Sequence, residues 1–285
     1  MGQTNQADKA VRHHKEEASV TEATRLSARL IYEVVRRDGE EELRRPMLSL
    51  LWSGIAAGIL ISLSVLGEAI FRLNLDPEAP SSYLIENAGY SLGFIAVIFG
   101  RLQLFTENTI TTVLPVIAHS DRQSFHAMLR LWVLVLAANA VGAFIAAGFM
   151  GLTRVLSPDM VATITDLSRH ATGFGAFEAF LRAIPAGVLV AAIVWMMPSA
   201  EGNAFFIIFT FTWLIAAGDF THIVAGTVEM AFLMLRGDLG FGPAMQEFFL
   251  PVLAGNIVGG TAIFALLAWG QVRKEVQDGV GDDDR

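Results

Sequence analysis

A histidine inside a long apolar segment is the side chain of this sequence best suited to chemistry. His222 follows the run Asp219-Phe220-Thr221, and it is the one histidine of six that falls within a predicted membrane span. Histidine titrates near about pH 6.5, and ionisable side chains within a membrane are functional candidates by default. His222 therefore either shares a proton with a passing anion or stays neutral and hydrogen-bonded within a helix bundle.

Two polar interruptions of apolar segments supply further candidate donors. They lie at 103–109 and 218–221 and contain Thr106 and Thr221. A broken membrane helix frees backbone amide and carbonyl groups, and this is tolerated only inside protein or beside water. Half-helix N-termini at such breaks favour anions. We expect either threonine to donate a hydrogen bond to an anion, or to bond to a carbonyl of its own helix.

Aromatic and basic residues near the interruptions complete the candidate pathway. Phe105 and Phe220 occupy similar positions in the two interruptions and are interpreted as hydrophobic constrictions of a pore, with core packing as the alternative. Arg182 is a rare basic residue within a predicted span. Such a residue faces protein or water, so Arg182 either attracts an anion or pairs with Glu178.

The segments that position these residues occur twice. The recurring pairs are 55–60 with 184–189, 103–106 with 218–221, and 136–143 with 253–260, at offsets of 129, 115 and 117 residues. Duplicated apolar units with interrupted segments are typical of transporters and channels. Asn139 and Asn256 stand at matching positions and are predicted to be structural, each amide tying a neighbour's broken backbone.

Composition predicts an all-α integral membrane protein. The chain has 285 residues, of which 53% are hydrophobic and 17% are charged, against about 25% charged in soluble domains. The continuous apolar runs approach the ~20 residues that cross a bilayer, whereas a β-barrel would show short alternating segments. The predicted spans are 47–71, 84–117, 127–152, 176–197, 203–235 and 248–272, with the second and fifth broken.

Charge predicts how the spans are oriented. Arginines crowd the segment before the first span, and positive segments stay in the cytoplasm. Six crossings then place both termini in the cytoplasm, and halves of three spans each, about 47–152 and 176–272, form a 3+3 inverted repeat. The domains are a cytoplasmic segment 1–46, a membrane domain 47–272 and an acidic cytoplasmic tail 273–285.

The N-terminal segment contains a candidate amphipathic helix. Residues 19–38 place Leu26, Leu30, Ile31, Val34 and Val35 on one stripe opposite arginines. Such a helix either lies on the inner membrane surface or packs on the protein.

Several motifs, in order along the chain, resemble the formate/nitrite transporter family. They are Leu104-Phe105-Thr106, Asn139-Ala140-Val141-Gly142-Ala143, His222 after Phe220, and Gly255-Asn256-Ile257-Val258-Gly259-Gly260. The resemblance covers roughly residues 25 to 272. It implies a homopentamer of aquaporin-like protomers in the inner membrane, each with its own pore for small monovalent anions such as formate or nitrite, often with a proton.

The resemblance also assigns roles to individual positions. The central pore histidine of the family falls on His222, and its loop threonine falls on Thr106, beside Leu104. The aromatic constriction falls on Phe220 and Tyr90, followed by Phe94. The lysine, asparagine and glutamate expected near the histidine are replaced by Ala171, Gly187 and Thr221. The chain is therefore interpreted as a divergent branch.

The first hypothesis is a channel or proton-coupled transporter for a small anion. The alternatives are an aquaporin-like pore for neutral solutes and a sensor or scaffold that has lost transport. No nucleophile–base pair, cofactor motif or metal cluster is evident, so an enzyme is not expected. The predicted partners are a small anionic substrate, the lipid bilayer and further copies of the chain, with no nucleic acid.

Overall fold

The computed structural model describes residues 26–282, and every element in this range is a helix. The helices are α1 (Ala28–Arg44), α2 (Met47–Asn74), α3 (Ser82–Phe99), α4 (Phe105–Thr111), α5 (Val113–His119), α6 (Arg122–Leu152), α7 (Pro158–Thr172), α8 (Ala176–Ser199), α9 (Ala204–Ala217), α10 (Ile223–Arg236) and α11 (Phe241–Gln277). The backbone of the last helix continues to Asp282. The rest of the predicted terminal segments lies outside the described residues.

Five of these helices are long and apolar enough to cross a membrane. They are α2, α3, α6, α8 and α11, while α9 is apolar but only 14 residues long. Large apolar side chains such as Trp52, Phe177 and Leu267 are more than half exposed on the isolated chain. Exposed apolar surface on this scale indicates contact with lipid or with other subunits.

Helix α7 lies between the two predicted halves, where the sequence analysis placed no element. Its start follows standard capping chemistry, since the Ser157 hydroxyl accepts a hydrogen bond from the Met160 amide at 3.3 Å. Pro158 occupies the first helical position, where a missing amide hydrogen costs nothing.

Helix α1 packs on the protein by only part of the predicted stripe. Tyr32 and Val35 are buried, whereas Leu30 and Val34 are exposed. The Tyr32 ring lies 5.3 Å from the Trp269 ring of α11. Val35 is thus the stripe residue that is buried, while Tyr32, which lies outside the stripe, makes the aromatic contact with α11.

Glycines allow close helix crossings in two equivalent places. A Cβ on Gly58 would lie 2.1 Å from the Asn139 carbonyl oxygen, so α2 and α6 meet backbone to backbone. A Cβ on Gly187 would lie 2.4 Å from the Asn256 carbonyl oxygen, where α8 meets α11. Small residues allow such approaches between membrane helices. The space at Gly187 therefore admits no larger side chain.

Candidate functional site

The first interruption lies between α3 and α4. The backbone turns through Arg101, whose φ of 49° is unusual for a residue with a side chain. Asn139 of α6 then holds the freed backbone. Its Nδ2 donates to the carbonyl oxygens of Gly54 at 2.9 Å and Gln103 at 2.8 Å, and its Oδ1 accepts from the Phe105 amide at 2.9 Å.

The second interruption, between α9 and α10, has the same arrangement. Here the turn passes through Asp219 with φ of 53°. Asn256 of α11 donates from Nδ2 to the carbonyl oxygens of Ala183 at 2.8 Å and Thr221 at 3.0 Å. Its Oδ1 accepts from the Ile223 amide at 2.8 Å. Each buried amide thus satisfies three backbone groups that would otherwise be unpaired.

These bonds fix how the two interruptions correspond. Arg101 and Asp219 match as the two residues with positive φ. The bonds to Asn139 and Asn256 match Gln103 with Thr221, whose carbonyl oxygens accept. The same bonds match Phe105 with Ile223, whose amides donate. All three pairs are 118 residues apart. At the same offset, Leu104 matches His222: both precede a helix with extended backbone, at φ −102° and −112°.

The predicted correspondence of Thr106 with Thr221 and of Phe105 with Phe220 was therefore wrong. It aligned one phenylalanine with the other and so lay three residues out of register. Backbone bonds rather than side-chain identity define the repeat here.

His222 is buried beside the first interruption and bonded at both ring nitrogens. Its Nε2 lies 2.8 Å from the Thr106 hydroxyl, and its Nδ1 accepts from the Ala225 amide at 3.3 Å. The Phe94 ring packs edge-on at 4.9 Å. Because Nδ1 is an acceptor, the bonding pattern assigns the hydrogen to Nε2, which donates to Thr106. The hydroxyl hydrogen of Thr106 is then free to donate elsewhere.

Two other predicted residues are engaged in packing and backbone bonds. The Thr221 hydroxyl donates to the Ala179 carbonyl at 2.9 Å, so its hydrogen is already used. The Phe105 ring packs edge-on against Trp132 at 5.7 Å. We therefore assign neither side chain a contact with substrate.

Arg182 is bound on several sides. Its Nε donates to Glu178 at 2.8 Å, its Nη1 donates to the Asp219 carbonyl at 3.3 Å, and its guanidinium lies 4.1 Å from the Phe174 ring centroid. Of the two predicted roles, the observed contacts are those of the ion pair with Glu178.

A cavity of about 290 Å³ opens beside His222. Of the predicted pathway residues, Tyr90, Phe220, Thr221 and His222 line it, whereas the buried Leu104, Phe94 and Thr106 do not. Tyr90 and Phe94 are in contact, with ring centroids 5.3 Å apart.

Ionisable groups line the wall of this cavity. These ionisable side chains are Glu68, Arg72, Tyr83, Tyr90, His170, Asp219, His222 and Glu229. Arg72 donates to both oxygens of Glu86, at 3.2 and 2.7 Å, and His170 Nε2 lies 2.9 Å from Asp219. Within the part of the chain that the structure describes, the carboxyl groups of Glu68 and Glu229 have no hydrogen-bond or ion-pair partner.

Comparison with known proteins identifies the family. The model of the formate/nitrite transporter family matches residues 29–270. The chain belongs to the formate/nitrite transporter family. It is 42% identical over 251 residues to inner membrane protein YfdC of Escherichia coli strain K12, covering 88% of this chain and 81% of that one. It is 30% identical over 246 residues to formate channel FocA of Haemophilus influenzae, covering 76% and 84%.

Solved structures of the family share the fold. A pentameric formate channel with formate bound superposes with a TM-score of 0.67 at 21% identity, covering 78% of this chain and 96% of that one. The predicted family is thus confirmed, and with it a membrane channel fold. The formate/nitrite transporter family consists of transport channels. Among the described residues no cluster of three metal-ligating side chains occurs.

The structure locates two positions at which this chain was expected to differ from the family pattern. Ala171, where we expected a lysine, lines the cavity without charge. Gly187, where we expected an asparagine, lies in the crossing of α8 and α11.

Sequence reasoning overlooked Glu68 and His170 as part of the site. Glu68 lies inside the first predicted span, so the rule that singled out His222 applies to it equally. His170 lies on α7, which carried no sequence signal of a place beside the pore.

Proposed function

We propose that this chain is a channel or transporter for small monovalent anions such as formate or nitrite. The observation that carries the proposal is the bond between Thr106 and His222, which joins the two interruptions across 2.8 Å. A formate channel is among the relatives and another is among the similar solved structures, which supports this substrate class.

The proposed architecture is a 3+3 inverted repeat of six spans in an aquaporin-like protomer. The second span is α3 with α4 and α5, and the fifth is α9 with α10, each broken by its interruption. The same hydrogen bonds to Asn139 and Asn256 support a duplicated origin. We further propose that both termini are cytoplasmic and that five protomers assemble, as in the pentameric relative, each with its own pore.

The proposed chemistry is hydrogen bonding in a space that excludes water. Neutral His222 donates from Nε2 to Thr106, which orients the threonine hydroxyl hydrogen toward the pathway. An anion passing Thr106 exchanges part of its hydration for this hydrogen bond, and hydrogen bonds to charged groups are about twice as strong as neutral ones. Apolar side chains such as Phe94 and Phe220 exclude hydrated cations.

Proton coupling through His222 is a further step of the proposal. A neutral imidazole that gave up its Nε2 proton would become an anion, so His222 must first gain a proton at Nδ1. That protonation removes the acceptor of the Ala225 amide. In a proton-coupled cycle, the hydrogen bond from the Ala225 amide to His222 Nδ1 must therefore break and form again in each turnover.

Formate flux into proteoliposomes tests the proposal. His222→Leu substitutes the side chain found at the matching position of the first interruption, so the protein should assemble while flux falls at least about tenfold. Glu78→Gln, in the exposed loop after α2, is the matched control and should retain flux. Equal formate flux in His222→Leu and wild type, between about pH 5 and pH 8, would remove the histidine from the mechanism.

A pore for neutral solutes is the second candidate, and the cavity wall favours it. The carboxyl groups of Glu68 and Glu229 oppose an anion but not an uncharged molecule. Stopped-flow swelling of proteoliposomes separates the candidates. Rapid permeation of water or undissociated acid, without flux of an anion that stays charged, would support the neutral pore.

A further inference from the structure

The cavity beside His222 combines unpaired acids with aromatic walls. Glu229 is only 7% exposed, it lines the cavity, and its carboxyl group has no partner among residues 26–277. Tyr90 is also 7% exposed and lines the same cavity, and its hydroxyl group likewise has no partner within that range. Buried polar groups are normally hydrogen-bonded, so two open ones on one cavity point to a bound molecule.

The charge balance indicates the sign of that molecule. Besides His222, the basic side chains of the wall are Arg72 and His170. Each of these two is bonded to a carboxylate of its own, Glu86 for Arg72 and Asp219 for His170. Glu68 and Glu229 are left over, and both accept hydrogen bonds when ionised. A ligand that satisfies them carries positive charge and donates hydrogen bonds.

The aromatic side chains narrow the chemical class. Tyr83, Tyr90, Phe174, Phe220 and Phe248 line the cavity beside the acids. Aromatic rings attract ammonium groups, and desolvated contacts of this kind are worth about 2 kcal/mol. One of these rings, Phe174, already packs against the guanidinium of Arg182, which does not itself line the cavity. A strongly hydrated metal ion gains less from such a wall.

We propose that the cavity beside His222 is a binding site for a small ammonium-type cation. Glu229 and Glu68 supply the counter-charges, and the Tyr90 hydroxyl group accepts a hydrogen bond. A volume of about 290 Å³ admits ammonium or a small primary amine. The site goes beyond the proposed function, although Tyr90, Phe220 and His222 of the predicted pathway also line this cavity.

Calorimetric titration of the purified full-length protein with methylammonium chloride tests this site. The blank is the chloride salt of N-methylglucamine, a bulky cation, at equal ionic strength. Wild type should show saturable binding of methylammonium, Glu229→Gln should bind it at least tenfold more weakly, and Tyr90→Phe should weaken binding by a smaller factor. Glu78→Gln, which removes an equal charge from an exposed loop, should bind like wild type.

Two results would overturn the proposal: no saturable binding by wild type, or equal affinity in Glu229→Gln. If Glu229→Gln does not yield folded protein, Glu68→Gln replaces it with the same expectation. Formate flux measured on the same preparations keeps the two proposals separate. Binding without flux contradicts only the anion channel, and flux without binding contradicts only the cation site.

Discussion

The two interruptions of this transporter have the same backbone bonds and opposite contents. In each, an asparagine amide holds two carbonyl oxygens and one amide hydrogen of the broken segment. In each, a residue with positive φ makes the turn. At the central position, however, the first interruption has Leu104 and the second has His222. The shared bonds stabilise both interruptions, and the difference at the central position places an imidazole ring in the second interruption alone.

The contacts of His222 explain why a single histidine is enough to bond the two interruptions together. His222 reaches across to Thr106, which is the second residue of α4 in the other interruption. Leu104, buried and apolar, has no such reach. A second histidine at 104 would add a buried polar group with no partner left for it, at a cost of about 1–3 kcal/mol.

The largest expected effect tests the shared bonds. Asn139→Ala and Asn256→Ala each leave three buried backbone groups unpaired, and we expect each to lower the free energy of unfolding by about 3 kcal/mol. Thermal unfolding of the purified protein and its elution on size exclusion measure the loss. If one variant unfolds like wild type while the other collapses, the equivalence of the interruptions is contradicted.

Exchange of the central residues tests the difference. We expect Leu104→His with His222→Leu in one chain to assemble poorly or to conduct formate at least about tenfold more slowly than wild type, because Thr106 then has no imidazole across from it. Formate uptake by proteoliposomes measures this. Wild-type flux in the exchanged protein would mean that either interruption can carry the histidine.

The two threonines should separate by function. Thr106→Val removes the hydroxyl group bonded to His222 and leaves the buried Nε2–H without a partner. We therefore expect flux to fall about tenfold and the free energy of unfolding to fall by about 1–3 kcal/mol. Thr106→Ser should restore most of that flux. Thr221→Val removes only a bond to the Ala179 carbonyl, so it should cost about 1 kcal/mol of stability and retain flux. Reversed behaviour of the two valine variants would contradict the assignment.

The smallest effect concerns a bond that the interruptions do not share. The Gln103 amide donates to the Ser53 hydroxyl at 3.0 Å, whereas the matching Thr221 amide donates to the backbone carbonyl of Arg182 at 3.3 Å. Ser53→Ala should therefore lower the free energy of unfolding by about 1 kcal/mol. Thermal unfolding measures it, and a change below about 0.3 kcal/mol would show that water replaces the hydroxyl group.

Much of this fold was predictable because long apolar runs and recurring small residues carry strong signals. The broken second and fifth spans and the functional roles of His222, Thr106, Asn139 and Asn256 stay predictions, whereas the family and the long apolar helices followed from the sequence. The register between the breaks did not, because it depends on backbone amides and carbonyls that every residue possesses. Matching Phe105 to Phe220 compared side chains, whereas the equivalence of the two interruptions lies in their backbone hydrogen bonds.

The cavity was harder to foresee, since its wall joins residues of α2, α3, α7, α9, α10 and α11. Glu68 and Glu229 are 161 residues apart in sequence, and no spacing rule relates them. Arg182 shows the converse, because its sequence position suggested an anion site while its neighbours Glu178 and Phe174 already use its charge.

The central claim is that neutral His222 accepts at Nδ1 and donates from Nε2 to Thr106. Solid-state nitrogen NMR of the histidine-labelled protein in lipid tests it most directly, with His222→Leu identifying the signal by its loss. We expect a neutral ring protonated at Nε2 at about pH 7, and a shift of the Nε2 signal in Thr106→Val. A ring protonated at Nδ1, or at both nitrogens, would contradict it.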